Sequence, residues 1–240
     1  VTAQDQSGAK TIDFEHPIWI ESAPFEWRSS VMYQVVTDRF AGFAREADTD
    51  WHIGKRRGGS WLGLQEKIEA GYFDQLGANA IWISPINLNP EGVWVGVEGG
   101  PPRYEGYHGY WRISNTEIEP AFGTPQQLKS MIRSAHSRGI RVILDVVLNH
   151  QHVDFQDVEH SAVRGNELCI CGTPTCPWWR DIQRCWFTPY LPDIDYAQFA
   201  NIQLELDRIV ALVKAYDFDG LRIDAVPMMP RFVTRHLKHR

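Results

Sequence analysis

Short apolar runs alternate along the chain with segments whose apolar residues recur every three or four positions. Val31-Met32-Tyr33-Gln34-Val35-Val36 is rich in β-formers and predicts a strand. Leu64, Ile68 and Leu76 then share one face of a helix predicted from about Leu62 to Leu76, with Gly77 just past its end. Ala80-Ile81-Trp82-Ile83 predicts a second, buried strand, followed by a Gly/Pro/aromatic loop from Asn87 to about Ser114. Thr124-Pro125-Gln126-Gln127 is a helix start: Thr as cap, Pro in the first position, Gln placed to reach back. Leu128, Met131, Ile132 and Ala135 continue at helical spacing, and Gly139 ends the helix. The run from Ile140 to Val147 is almost continuously apolar, as a parallel strand covered on both faces would be. An irregular stretch from about His150 to Phe199 precedes a helix marked by Ile202, Leu206, Ile209, Val210 and Val213. A fourth strand lies within Asp219-Gly220-Leu221-Arg222-Ile223-Asp224-Ala225-Val226.

Four strand–helix units with right-handed crossovers predict an α/β fold with a parallel sheet, either doubly wound or a (β/α)8 barrel. Functional groups in such folds gather at the carboxyl ends of the strands. Asp38 and Arg39 follow the first strand. Ser84 and Pro85 follow the second, and lead to Tyr107-His108-Gly109-Tyr110-Trp111. The third strand carries Asp145, Asn149 and His150, and the fourth Arg222 and Asp224. Any one of these residues could be a satisfied structural group, but polar groups at all four ends of apolar strands point to a site. Arg222 and Asp224 are two residues apart, so on a strand they face the same side. An arginine there keeps a carboxylate ionised and oriented, which a nucleophilic carboxylate needs.

Composition narrows the classes. With 43% hydrophobic and 22% charged residues the 240-residue chain has the makeup of a globular protein. A formal net charge of −6 gives no basic surface for nucleic acid, and no stretch is long enough to span a bilayer. The polar stretch from Val1 to Lys10 has no signal-peptide core and is compatible with a mature end left by cleavage. Ten Trp, eight Tyr and eleven Phe supply either a large core or flat platforms for sugar rings. Cys169, Cys171, Cys176 and Cys185 crowd one irregular segment. Two disulfides there would mean an oxidising compartment; a four-thiolate zinc site would need closer pairs, so the spacing favours disulfides. A direct Cys169–Cys171 bridge would be strained.

These residues resemble the α-amylase superfamily of glycoside hydrolases and transglycosidases, from about Tyr33 to Val226. Asp145-Val146-Val147-Leu148-Asn149-His150 is similar to the family's motif at the third strand, and Gly220-Leu221-Arg222-Ile223-Asp224 to its nucleophile motif at the fourth. Leu191-Pro192-Asp193 is similar to its short motif near the end of the domain inserted after strand three, and Tyr107 to Trp111 to the loop that supplies a sugar-stacking tyrosine. Single motifs are weak; the four together are specific. The resemblance implies a (β/α)8 TIM barrel of which this chain holds the first half, about strands 1–4. The barrel would be carried by residues 1–149 and 200–240, with the inserted domain at 150–199. It implies Asp224 as a nucleophile that forms a covalent glycosyl-enzyme and Arg222 as its charge partner. It gives His150, Tyr110, His108 and Trp111 to substrate binding, and Asn149 and Asp193 to a Ca2+ ion. Asp145 would orient its neighbours. The substrate would be an α-glucan oligo- or polysaccharide and the location secreted or periplasmic.

Two departures qualify the resemblance. The family's acid/base glutamate follows strand five and its second aspartate strand seven, beyond Arg240. The expectation is a larger polypeptide, or a nicked enzyme whose other piece is the C-terminal half of the barrel, and a chain inactive by itself. Second, Pro227-Met228 stands where many α-amylases carry Lys-His. That leaves a transglycosidase, or a trehalose-forming or α-glucosidase-like enzyme, as an alternative to hydrolysis of starch-type α-1,4 bonds. A non-catalytic carbohydrate-binding protein is a further alternative. A doubly wound protein of other function fits least, because no Gly-rich phosphate loop follows any strand.

Overall fold

A computed structural model describes residues 7–8, 24–42, 52–95, 103–157, 163, 170, 176 and 178–240. It divides into two compact units, 1–30 and 31–240. In the first, Trp27–Ser29 forms one 3-10 turn whose backbone is capped by the Glu26 carboxylate. The second carries the sheet.

In chain order its elements are β1 (Met32–Val35), α1 (Thr37–Phe40), α2 (Trp61–Glu69), α3 (Tyr72–Gln75), β2 (Ala80–Ile83), β3 (Trp94–Val95) and β4 (Arg103–Tyr104). There follow α4 (Pro125–Ser137), β5 (Arg141–Val146), α5 (Trp178–Asp181), α6 (Phe199–Tyr216), β6 (Gly220–Ile223) and α7 (Arg231–Leu237). Strands β1, β2, β5 and β6 pair in that order, every pair parallel. The four predicted strands are therefore neighbours in sequence order, with helices on the crossovers, as in the opening half of a (β/α) barrel.

Period-two alternation divides the sheet into two faces. Val35, Ile81, Ile83, Val142, Leu144 and Val146 join Leu64, Ile68, Leu128, Met131, Ile132, Leu206 and Ile209 from α2, α4 and α6 in one core. Each of these aliphatic side chains contributes roughly 1.5–3 kcal/mol by leaving water. The opposite face carries Trp82, Asp145 and Arg222. All six residues of β5 are buried, so the near-continuous apolar reading of that strand holds.

The capping box on α4 forms as expected: the Thr124 side chain accepts from the Gln127 N–H, and the Gln127 side chain accepts from the Thr124 N–H. The helix predicted from about Leu62 to Leu76 is instead two helices. Gly71 adopts a left-handed conformation, φ 76°, between α2 and α3, and this turns the chain. Leu76 consequently stands 50% exposed rather than on the buried face. The loop after β2 holds a small antiparallel ladder, β3 with β4, that two-residue strands do not reveal in sequence. The inserted stretch folds back on the end of β5. The Gln151 N–H donates to the Pro192 carbonyl and the Ile194 N–H to the Asn149 carbonyl.

Cys185 is disulfide-bonded, whereas Cys176 is a free thiol. The second of the two expected bridges is therefore not formed at Cys176, while the Cys185 disulfide agrees with the preference for a disulfide over a thiolate zinc site. Cys169 and Cys171 lie outside the described residues.

Candidate functional site

The polar face of the sheet converges on one carboxylate. Asp145 and Arg222 are register partners across β5 and β6. Arg222 Nη1 donates to Asp145 Oδ1 and Oδ2, both at 3.0 Å, and to Asp224 Oδ1 at 2.7 Å. One amino group with two hydrogens thus joins two carboxylates. Two further donors reach Asp145 Oδ2: the Tyr110 hydroxyl at 2.8 Å and the Trp82 indole N–H at 2.9 Å. The Arg222 guanidinium also lies over the Trp82 ring, 4.8 Å from its centroid.

The two carboxylates differ in access. The Asp145 side chain is fully buried, while that of Asp224 is 22% exposed. Burial raises the Asp145 pKa above its ordinary value, opposed by the donors from Tyr110, Arg222 and Trp82. Burial by itself would lower the Arg222 pKa, but its contacts with Asp145 and Asp224 outweigh that and raise it. Asp145 is thus the internal anchor and Asp224 the carboxylate that can meet a ligand. Asp224 stays on the Arg222 face because its N–H still donates to Val146 of β5. Ala225 then takes a left-handed conformation, φ 54°, and leads the chain into a 3-10 turn, Val226–Met228.

Tyr110 reaches this cluster because its loop is pressed onto the end of β2. Gly109 has φ 88°, and a Cβ there would come within 2.3 Å of the Pro85 carbonyl oxygen. The His108 ring takes the Tyr110 N–H on Nδ1 at 3.0 Å. Burial, reinforced by Arg56, His150 and Arg39, lowers the His108 pKa to about 3, so the ring stays a neutral acceptor. His150 is buried and its Nε2 lies 3.1 Å from the Tyr110 carbonyl. That contact selects the tautomer with the proton on Nε2. Burial lowers its pKa to about 4, against the pull of the Tyr110 carbonyl and Asp224.

Of the residues expected to touch substrate, Tyr110 and Asp224 share the Arg222 cluster, and His150 borders it through the Tyr110 backbone. The other two lie one step back from that cluster. Trp111 is only 8% exposed and packs nearly perpendicular to the rings of His108 and Tyr190. His108 braces the loop with its nitrogen and meets Trp111 with its ring. Both belong to the same motif as Tyr110, and here each contacts the loop's own residues.

Asn149 and Asp193 are brought together, both buried, with Asn149 Nδ2 2.8 Å from Asp193 Oδ1. A backbone bridge between His150 and Asp193 fixes them. Their oxygens are of the type calcium takes, and they offer two of the six to eight ligands such an ion needs. Among the described residues no group of three or more His, Cys, Asp or Glu is placed to hold a metal.

The apolar reading of β2 missed Trp82. Period two puts it on the face opposite Ile81 and Ile83, a signal present in sequence. Also missed was a buried ion cluster behind the loop. Arg112 Nη2 donates to Glu205 Oε1 and Arg208 Nη2 to Glu205 Oε2, each at 2.9 Å. Arg208 further donates to the Val147 carbonyl at 3.1 Å, just past β5. Arg112 is the residue after Trp111, so the cluster ties the loop, the end of β5 and α6 together.

A family model described as the alpha-amylase catalytic domain matches residues 34–168. The chain is similar to alpha-amylase 3 of Schizosaccharomyces pombe, 34% identical over 217 residues, which cover 85% of this chain and 37% of that protein. It is also similar to the periplasmic alpha-amylase of Escherichia coli, 40% identical over 138 residues, 54% of this chain and 20% of that protein. Among solved structures, an alpha-amylase from Malbranchea cinnamomea superposes with a TM-score of 0.70 at 28% identity, covering 86% of this chain and 44% of that one. The chain therefore spans well under half the length of these relatives. The residues the family model matches include the end of β1, β2, β5 and the loop that carries Tyr110, and on that evidence the chain belongs to the α-amylase superfamily of glycoside hydrolases.

Proposed function

We propose that the protein carrying this chain is a retaining glycoside hydrolase acting on α-glucans, with Asp224 as its nucleophile. The observation that carries this reading is the Arg222 bridge: a partly exposed carboxylate held at 2.7 Å by a guanidinium that a buried carboxylate anchors from behind. A retaining enzyme needs such a nucleophile to attack the anomeric carbon while a second carboxylic acid, about 5–5.5 Å away, protonates the departing oxygen. Asp224 would displace the leaving sugar and form a glycosyl ester. Water, activated by the same second group, would then release the product. Arg222 holds the attacking oxygen in place through that sequence. Tyr110, whose ring lies beside that of His108 at 5.7 Å, would give the sugar an apolar face. His150 in its neutral form would border the same ring. The acid/base group would come from the rest of the barrel, which in this reading is the chain's covalent or associated partner. Asp224→Asn in the intact protein is expected to lower maltooligosaccharide turnover by at least about a thousand-fold. Turnover unchanged by that substitution would sink the assignment.

Transfer to a second sugar instead of water is the other reading. Pro227 and Met228, on the turn directly after the nucleophile, favour it by replacing a polar pair with groups that bind water poorly. Product analysis with and without an acceptor sugar separates the two.

Calcium fits the Asn149–Asp193 pair, completed by backbone carbonyls and water. The ion would clamp the inserted segment to the end of β5 and would enter no bond-making step. Chelation is expected to lower the Tm and added calcium to restore it. A Tm indifferent to both would remove calcium from the account. The disulfide at Cys185 supports a secreted or periplasmic location. It agrees with the periplasmic relative. Localising the tagged protein tests it, and retention in the cytoplasm would count against it. No described helix is long and apolar enough to cross a membrane.

A further inference from the structure

We infer that Trp82 is a positioning residue for the nucleophile, acting through Asp145 and Arg222 rather than by touching substrate. This rests on the reading of Asp224 given above. Three observations carry it. The indole N–H donates to Asp145 Oδ2 at 2.9 Å. The same ring lies under the guanidinium of Arg222, 4.8 Å from its centroid. And Arg222 Nη1 is the atom that holds Asp224.

The geometry explains why two contacts from one side chain matter. A carboxylate held only by Arg222 could rotate about its Cβ–Cγ bond and carry the guanidinium with it. Asp145 Oδ2 is fixed by donors from three elements: Trp82 from β2, Tyr110 from the loop and Arg222 from β6. The cation–π contact independently sets the plane of the guanidinium. Since one nitrogen serves both carboxylates, a tilt of that plane lengthens the Asp224 contact. Displacements of about an ångström at a nucleophile are enough to slow attack strongly. The strand register makes the arrangement rigid. Trp82 pairs with Ile143, two residues before Asp145 on the same face, and Asp145 pairs with Arg222.

The test compares Trp82→Phe, which keeps a ring but loses the N–H, with Trp82→Leu, which loses both. In the intact protein, kcat per titrated active site is expected to fall about ten-fold in Trp82→Phe, with KM within about two-fold. In Trp82→Leu it should fall about a hundred-fold. The groups facing Asp145 are Tyr110 from the loop and Arg222 from β6, with Asp224 beyond Arg222; β2 contributes no charge. Loss of a donor that favours the ionised carboxyl therefore moves the acid limb of the kcat profile to higher pH in Trp82→Phe. Trp82→Phe with wild-type kcat and an unmoved acid limb would overturn the inference. So would a lower Tm in both variants with kcat per site unchanged, the result for a merely structural residue. Failure of the functional reading is distinguishable, because wild-type protein would then turn over no maltooligosaccharide. The part of the inference that does not depend on that reading, that Trp82 holds Asp145 ionised and in place, is still decided in that case by the Asp145 carboxyl resonance, followed by 13C NMR. An upward shift of its titration in Trp82→Phe supports the role and an unshifted titration overturns it.

Discussion

Asp145 accepts hydrogen bonds from Trp82, Tyr110 and Arg222 and is wholly buried, yet it would not touch a sugar. At the scale of residues the site is an exposed reactive group supported by a buried one. The same division recurs behind it. Glu205 is 0% exposed and faces Arg112 and Arg208, themselves almost fully buried. Burial, with repulsion from Arg208, lowers the Arg112 pKa to about 10, opposed chiefly by Glu205 and also by Tyr196. Removing the carboxylate leaves two buried cations without it, the costly way to break a buried ion cluster. Glu205→Gln is expected to reduce unfolding free energy by about 3–5 kcal/mol in urea titration. A change below about 1 kcal/mol would show that the arginines relax to water instead. Arg222 and Asp224 were legible in sequence because a strand places alternate residues together. Glu205 and Arg208 were not. A helix read for its apolar stripe says nothing of which polar neighbours turn inward.

The elements followed the hydrophobic pattern closely where that pattern was long. The buried run at β5 and the capped helix α4 appear where period and cap chemistry put them. The helix α6 extends beyond its apolar markers, from Phe199 to Tyr216. Elements were misread where one residue changed the backbone. Gly71 splits α2 from α3, which periodicity across 62–76 conceals. Any L-residue there must hold a left-handed conformation, at about 1–2 kcal/mol, and a Cβ would meet the flexible end of Arg138 at 3.2 Å and the Asp74 carboxylate at 3.5 Å. Gly71→Ala is therefore expected to destabilise by about 1 kcal/mol in the same titration. Stabilisation by Ala would mean that α2 and α3 can merge into the single helix the sequence suggests. The β3–β4 ladder was illegible for another reason: strands of two residues carry no period.

For the whole molecule the histidines set a pH window. His136 at the end of α4 meets Asp219 Oδ2 at 2.7 Å, just before β6. That bond raises its pKa above 6.5, against the effect of burial. Its contribution is complete below the unfolded value, about 6.5, and is lost as pH rises through the raised folded value. His108 and His152 run the other way. Burial lowers them to about 3 and about 4, helped in His108 by Arg56 and opposed in His152 by Asp154. Their contribution is present above about 6.5 and is lost as pH falls toward those values, because the unfolded chain then binds protons the folded one excludes. The Tm is expected to peak near pH 6.5 and decline on both sides, with the alkaline decline flattened in His136→Gln. A Tm that rose steadily from about pH 4 to about pH 9 would contradict both assignments. The architecture at this scale was foreseeable, since four strands in sequence order with crossover helices allow few topologies. The cysteine arrangement was not, because spacing does not reveal that Cys176 stays free while Cys185 is bridged.

The central claim is that Asp224 forms a covalent bond to sugar, and trapping that bond tests it most directly. The intact protein would be treated with a slowly released glycosyl fluoride, then digested and analysed by mass spectrometry. The account predicts one glycosyl unit on the peptide containing Asp224, absent from Asp224→Asn. Sugar attached to a different carboxylate, or turnover of the reagent with none attached at any stage, would contradict it.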